Sequence, residues 1–274
     1  MGKYSMIWAI LAVCISLYML LPWKWRKNAQ DFYPEDRPLI FGHRGSPDII
    51  TENTMPSFEH AITQGVDGLE FDIRLSADRK LVIFHDADLM RMAGDPRKIK
   101  DLSSEEIKTV CLFPPKGQEE QAHIPLLEEI LPLVDKVRVI NIEIKSDSFF
   151  DGQNLISPLI LFIEKHNLEK KCIVSCFNPL VLWRLKLKKQ NLIIGFLYTR
   201  KFILHSLYNM EWMLHVRPDN LHIHHSLLNS WIVRWAKYKG LRINSYTINK
   251  RDTYHMAEEL KTDGVFSDNI TYLK

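Results

Sequence analysis

GLEFDIRLSADRKLVIFHD, residues 68–86, holds two apolar runs joined by the polar hexapeptide LSADRK. Both runs carry the branched and aromatic residues of strands. A parallel crossover needs a dozen or more residues, so so short a connection makes the two runs an antiparallel hairpin. A turn centred on Ala77 and Asp78 sets Glu70 opposite His85 and Asp72 opposite Ile83. Further apolar runs are LIFGH at 39–43, VRVINIEIK at 137–145, CIVSCF at 172–177, LIIGFLY at 192–198, LHIHH at 221–225, LRINSYT at 241–247 and GVFSD at 264–268. Helix-period segments separate most of them, the alternation of parallel strands with helical crossovers. Thr54 with Pro56 and Asn178 with Pro179 are expected to open two of these helices. Nine candidate strands are one too many for an eight-stranded barrel. The hairpin accounts for the ninth, and the body, residues 38–274, is expected to be one (β/α)8 TIM barrel. A small insertion, about 87–123, should follow the hairpin after the second strand. Ser103 with Glu106 forms a capping box there, so part of the insertion is helical.

In such barrels the loops at the C-terminal ends of the strands converge on one mouth. Those ends carry His43 and Arg44, then Glu70 and Asp72, then His85 and Asp86 on the hairpin return, then Glu143 and Lys145. Period-two spacing turns Glu70 and Asp72 to one side, and likewise Glu143 and Lys145. Carboxylates pointing into a barrel repel one another and lose solvation, so a hard divalent cation is their simplest partner. A buried ion-pair network with Arg44 and Lys145 would account for the charges. It gives no reason for two histidines at the same mouth, whereas acid-base chemistry on a phosphoester requires them. The residues therefore point to metal-assisted phosphoryl chemistry, with Arg44 neutralising phosphate oxygens and His43 and His85 exchanging protons.

The rest of the chain is less informative. A net charge of +3, without a basic stripe, argues against a nucleic-acid partner. Cys14, Cys111, Cys172 and Cys176 suggest no disulfide framework, and the last two read as buried strand residues. His222, His224 and His225 invite a zinc site, but alternation turns His225 away from the other two. Residues 4–23 contain no charge and have the length of one membrane-crossing helix. They are expected to anchor the protein as a single-pass membrane protein, with 24–37 as a linker. The denser basic residues on the C-terminal flank make a cytoplasmic body the expectation.

The segments HRG and ENT within 42–54, LEFD at 69–72, FHD at 84–86, IEIK at 142–145 and DGVFSD at 263–268 resemble the glycerophosphodiester phosphodiesterase family in order and spacing. The resemblance implies that Glu70, Asp72 and Glu143 hold calcium or magnesium, and that His43 and His85 are the acid-base pair. It also implies that Arg44 and Lys145 bind phosphate. Glu52 and Asn53 match ENT, and the resemblance implies that they hold the first loop, with a metal or substrate contact expected of them. The family's reaction runs through attack by a glycerol hydroxyl on the phosphoester, then hydrolysis of a cyclic phosphate. Thr51, Tyr246 and Ser267 stand where the family commonly has proline, tryptophan and threonine. Three functions fit: hydrolysis of glycerophosphodiesters to glycerol 3-phosphate and an alcohol, lysophospholipase D action on membrane lysophospholipids, and non-catalytic binding of a phospholipid headgroup. A pure binder has no use for both histidines beside three carboxylates.

Overall fold

Residues 30–115, 122–199 and 212–273 are described in the computed structural model, with short helical pieces at 6–10, 13–14 and 17. The strands are β1 Leu39–His43, β2 Gly68–Leu75, β3 Leu81–Ile83, β4 Cys111–Leu112, β5 Ala122–His123, β6 Val139–Ile144, β7 Cys172–Cys176, β8 Ile193–Tyr198, β9 Asn220–His224, β10 Arg242–Tyr246 and β11 Gly264–Ser267. Running β1-β11-β10-β9-β8-β7-β6-β2, with β1 also paired to β2, the main sheet closes on itself as eight parallel strands. This is the expected TIM barrel, and β3 hangs antiparallel on β2 outside the ring.

Alternation along each strand splits the core in two. Leu39, Phe41, Val139, Ile173, Ile193 and Phe266 pack together inside the barrel. Their neighbours Ile140, Val174, Ile194 and Val265 belong instead to the cluster shared with Leu159, Phe162, Leu182, Leu185 and Ala236 of the surrounding helices. Each such side chain contributes roughly 1.5–3 kcal/mol of apolar burial. Phe41 and Phe266 stack across the seam where the first and last strands meet, ring centroids 4.6 Å apart. The base of the barrel is covered by Phe32 and Tyr33, from the stretch read as a linker. The Tyr33 hydroxyl donates to Asn220 Oδ1 at 3.0 Å and accepts from Asn244 Nδ2 at 2.8 Å.

The hairpin register differs by one residue from the expectation. Ile73 faces Ile83 and Leu75 faces Leu81, so Asp72 lies opposite Phe84 rather than Ile83. Ser76 N donates to Lys80 O across a three-residue loop whose last member, Arg79, has φ +63°. That is a type I turn followed by a left-handed residue, a geometry usually signalled by glycine, which this sequence lacks. The insertion has its own small core of Leu89, Ile99, Leu102, Ile107 and Leu112, and the Ser103–Glu106 capping box is present. Asn178 caps the helix Pro179–Lys188 as expected. Thr54 stands at the N-cap of the helix Met55–Thr63 but does not cap it; its hydroxyl donates to Thr51 O at 2.6 Å.

The expected membrane-crossing helix is corrected, and with it the single-pass localisation, the cytoplasmic placement and membrane attachment through that helix. Among the described residues no helix is long and apolar enough to cross a membrane. A crossing takes about twenty continuous apolar residues, and the longest described helical piece there is 6–10. The remainder of 4–23 lies outside the described residues.

Candidate active site

Backbone pairing sets the level of the functional side chains. His43 is the register partner of Glu70 across β1 and β2, and Asp72 that of Glu143 across β2 and β6. The parallel ladders thus deliver a histidine and three carboxylates to the same end of the barrel. The loop that follows β1 is equally constrained. Arg44 has φ +52°, and Gly45, at φ +87°, passes so close to Ser57 that a Cβ would stand 2.4 Å from Ser57 Oγ.

Glu70, Asp72 and Glu143 are buried, and one oxygen of each lies within 4.8 Å of the others. Glu70 Oε2 accepts from Arg44 N at 2.8 Å, while its buried Oε1 has no hydrogen-bond partner among the described residues. Burial first, then the charge of Asp72, pushes the Glu70 carboxyl up to about 8. Burial acts the same way on Asp72, yet Lys145 and Arg44 outweigh it and hold that carboxyl far below the usual range. Lys145 Nζ lies 2.8 Å from Asp72 Oδ1 and also contacts Glu143 Oε1, and Arg44 Nε lies 3.2 Å from Asp72 Oδ2. An all-oxygen donor set with one buried carboxylate oxygen left without a hydrogen-bond partner among the described residues fits a hard divalent cation.

The two histidines are held alike and tuned oppositely. His43 Nδ1 lies 2.6 Å from Asp268 Oδ1, and its Nε2 lies 3.9 Å from Glu70 Oε2. Burial disfavours its charged form, but Glu70 and Asp268 together carry its pKa upward. His85 Nδ1 lies 2.6 Å from Asp86 Oδ1, yet burial and then the Lys145 charge carry its pKa downward. His43, Arg44, Glu70, His85, Glu143 and Lys145 line a cavity of about 250 Å³ together with Phe177, Leu197, Tyr246 and Phe266.

Glu52 and Asn53 stand behind this surface. Glu52 sits between two guanidiniums, 3.0 Å from Arg44 Nη1 and 2.7 Å from Arg91 Nη2. Asn53, left-handed at φ +58°, donates to Asp72 Oδ2 at 2.8 Å and accepts from Asp72 N at 3.2 Å. Arg91 also binds Asp86 Oδ2 at 2.6 Å, linking the insertion to the partner of His85. The histidines of β9 form no metal cluster, the three carboxylates being the one such group among the described residues. His222 is buried at the lining of the cavity with its pKa pushed down to about 3, and the missing Cβ of Gly195 makes room for its ring. Sequence reasoning gave no role to Asp268 and Asp86. Asp268 directly follows β11, and Asp86 follows His85 on the hairpin return, so position at the mouth was the signal that could have found them.

Residues 43–272 match the model of the glycerophosphoryl diester phosphodiesterase family. A glycerophosphodiester phosphodiesterase of Caldanaerobacter subterraneus is 29% identical over 238 residues, covering 85% of this chain and 95% of that protein. A lysophospholipase D of Rattus norvegicus is 24% identical over 269 residues, covering 85% and 83%. Among solved structures, an Oleispira antarctica phosphodiesterase in complex with the product sn-glycerol-3-phosphate superposes with a TM-score of 0.78 at 27% identity, covering 90% of this chain and 98% of that one.

Proposed function

The chain belongs to the glycerophosphoryl diester phosphodiesterase family, and from that premise we propose that it hydrolyses glycerophosphodiesters to glycerol 3-phosphate and an alcohol, with His43 and His85 as its acid-base pair. The observation that carries this is the pair of carboxylate-held histidines flanking one buried carboxylate cluster. Environments that push two pKa values apart assign the roles. His85, kept neutral, takes the proton of the attacking glycerol hydroxyl as its oxygen bonds to phosphorus. His43, whose pKa Glu70 and Asp268 carry upward, gives its proton to the alcohol oxygen as that P–O bond breaks. Water then opens the cyclic phosphate with the roles reversed, restoring both histidines. Asp268 is outside the carboxylate cluster, so its hold on His43 persists however Glu70 is neutralised.

Glu70, Asp72 and Glu143 would hold the divalent cation, calcium or magnesium, which when bound offsets phosphate charge and polarises the phosphoryl group. Arg44 and Lys145, both facing the cavity, bind the phosphate oxygens. Asn53 fixes the rotamer of Asp72, and Glu52 holds the Arg44 side chain in place. The apolar lining residues of the cavity, Tyr246 and Phe177 among them, receive the carbon skeleton. The test is release of glycerol 3-phosphate from a glycerophosphodiester panel, abolished by chelator and restored by calcium or magnesium. No turnover on any member would overturn it.

Similarity to a lysophospholipase D supports a second reading, in which the same centre acts on lysophospholipids. A kcat/KM that rises with acyl-chain length, measured below the micellar concentration, separates it from the first.

A further inference from the structure

Beside the active-site cavity lies a larger groove of about 690 Å³, walled by the β2–β3 hairpin, the start of the insertion and the loop after β6. Lys145 lines both cavities, so the two adjoin at this residue. Arg79 from the hairpin and Lys98 and Lys100 from the insertion line the groove as exposed cations. Among the described residues none of these three side chains has a hydrogen-bond or ion-pair partner. The groove's carboxylates do not answer them. Arg74 takes up Asp147 through two bonds of 2.9 Å, and Asp151 Oδ2 accepts from Asp147 N at 3.1 Å. Cations therefore outnumber carboxylates on the walls of a concave surface that opens next to the phosphoryl-transfer site. Such a wall focuses its field on an anion and is repelled by itself without one.

We propose that this groove binds a second phosphate carried by the substrate, so that the enzyme favours glycerophosphodiesters bearing a further, terminal phosphate group. The inference rests on the phosphodiesterase function above and names the substrate class of that site. Three cations reaching in from two separate segments suit a tetrahedral group that offers several acceptor oxygens. An acyl chain in the same place would desolvate the cations and return nothing to them.

The experiment uses the full chain with its divalent cation and two esters, glycerophosphoglycerol and the same compound phosphorylated on its terminal hydroxyl. The wild type is expected to show kcat/KM about tenfold higher for the phosphorylated ester, with the advantage shrinking as salt is raised. Arg79→Gln with Lys98→Gln and Lys100→Gln should remove that advantage through KM and leave the unphosphorylated ester within about twofold. Equal kcat/KM for the two esters in the wild type, or equal losses on both in the variant, would overturn the proposal. So would a preference for lysophospholipids over both. A calorimetric arm compares glycerol 1,3-bisphosphate with glycerol 3-phosphate, and tighter binding of the bisphosphate in the wild type alone supports the groove. If neither ester is turned over, the hydrolytic function fails, and the binding arm still decides the groove.

Discussion

Asp268 and His43 come from the last and first strands of the barrel, 225 residues apart, yet Oδ1 and Nδ1 are 2.6 Å from one another. Asp268 is itself fixed from the other side, its backbone N–H donating to Asn249 Oδ1 at 3.0 Å and its Oδ2 accepting from Asn249 Nδ2 at 2.5 Å. The ring of His43 is thereby held through Nδ1 with Nε2 outside that bond, an arrangement in which the carboxylate sets tautomer and orientation.

Asp268→Asn is expected to lower kcat by about ten- to a hundredfold with little change in KM, a loss within the range of acid-base contributions. Its signature is in the pH profile. His43 must be protonated to act as the acid, so its raised pKa sets the alkaline limb of kcat/KM. Removing the Asp268 charge lowers that pKa, and the limb should move to lower pH. An unmoved limb would detach Asp268 from the reaction.

His43→Ala and His85→Ala should each slow turnover by about a hundredfold or more. Both variants should keep their affinity for the divalent cation, because neither imidazole belongs to the carboxylate cluster. Calorimetric titration of the metal, run beside the rate measurement, checks the separation.

Glu70→Gln should behave in the opposite way. It keeps the shape of the side chain but removes a charge from the cluster, so metal affinity should fall by at least about tenfold, roughly 1.4 kcal/mol. The native protein is expected to gain thermal stability when the cation is added, since a ligand bound only by the folded state stabilises it. That gain should be much reduced in the variant.

Asn53→Ala removes the amide that binds both the side chain and the backbone N–H of Asp72. It also places alanine at a φ of +58°. A loss of about 1–3 kcal/mol is expected from the buried groups left unpaired, and Asn53→Gly should recover the backbone share but not the hydrogen bonds. Denaturant unfolding of the three proteins separates the two contributions.

Asp78 in the hairpin loop accepts from Ser104 Oγ at 2.6 Å, from Ser76 Oγ at 2.6 Å and from Ser104 N at 2.8 Å, joining the hairpin to the insertion. The Ser104 and Ser76 hydroxyls lead in pulling its pKa down to about 2. A depressed carboxyl contributes stability above its unfolded pKa and loses it as pH falls through the folded one. Asp78→Asn should therefore melt below the wild type at neutral pH, and the gap should close between about pH 4 and pH 2.

What the sequence disclosed follows from the reach of each signal. Glu70, Asp72, Glu143 and Lys145 were legible because alternation within one strand fixes which residues share a side, and the length of LSADRK identified the hairpin. Its register was missed because Arg79 takes a left-handed conformation without the glycine that would announce it. The Asp268–His43 pair was not legible as a contact, since only closure of the ring brings β11 to β1. Burial of Tyr33 was likewise hidden, because its partners Asn220 and Asn244 lie in strands near the far end of the chain.

Pairing of Leu39 with Gly264 across the seam has a consequence for biosynthesis. At about 5–20 residues per second, β1 leaves the ribosome roughly 10–45 s before β11 can flank it. Through that interval the backbone groups on one side of LIFGH are an open template for any passing strand. Such long-range pairing is slow and exposed to aggregation. The nascent enzyme should therefore depend on chaperone shelter most while it is nearly complete, and gain activity only when its final strand is released.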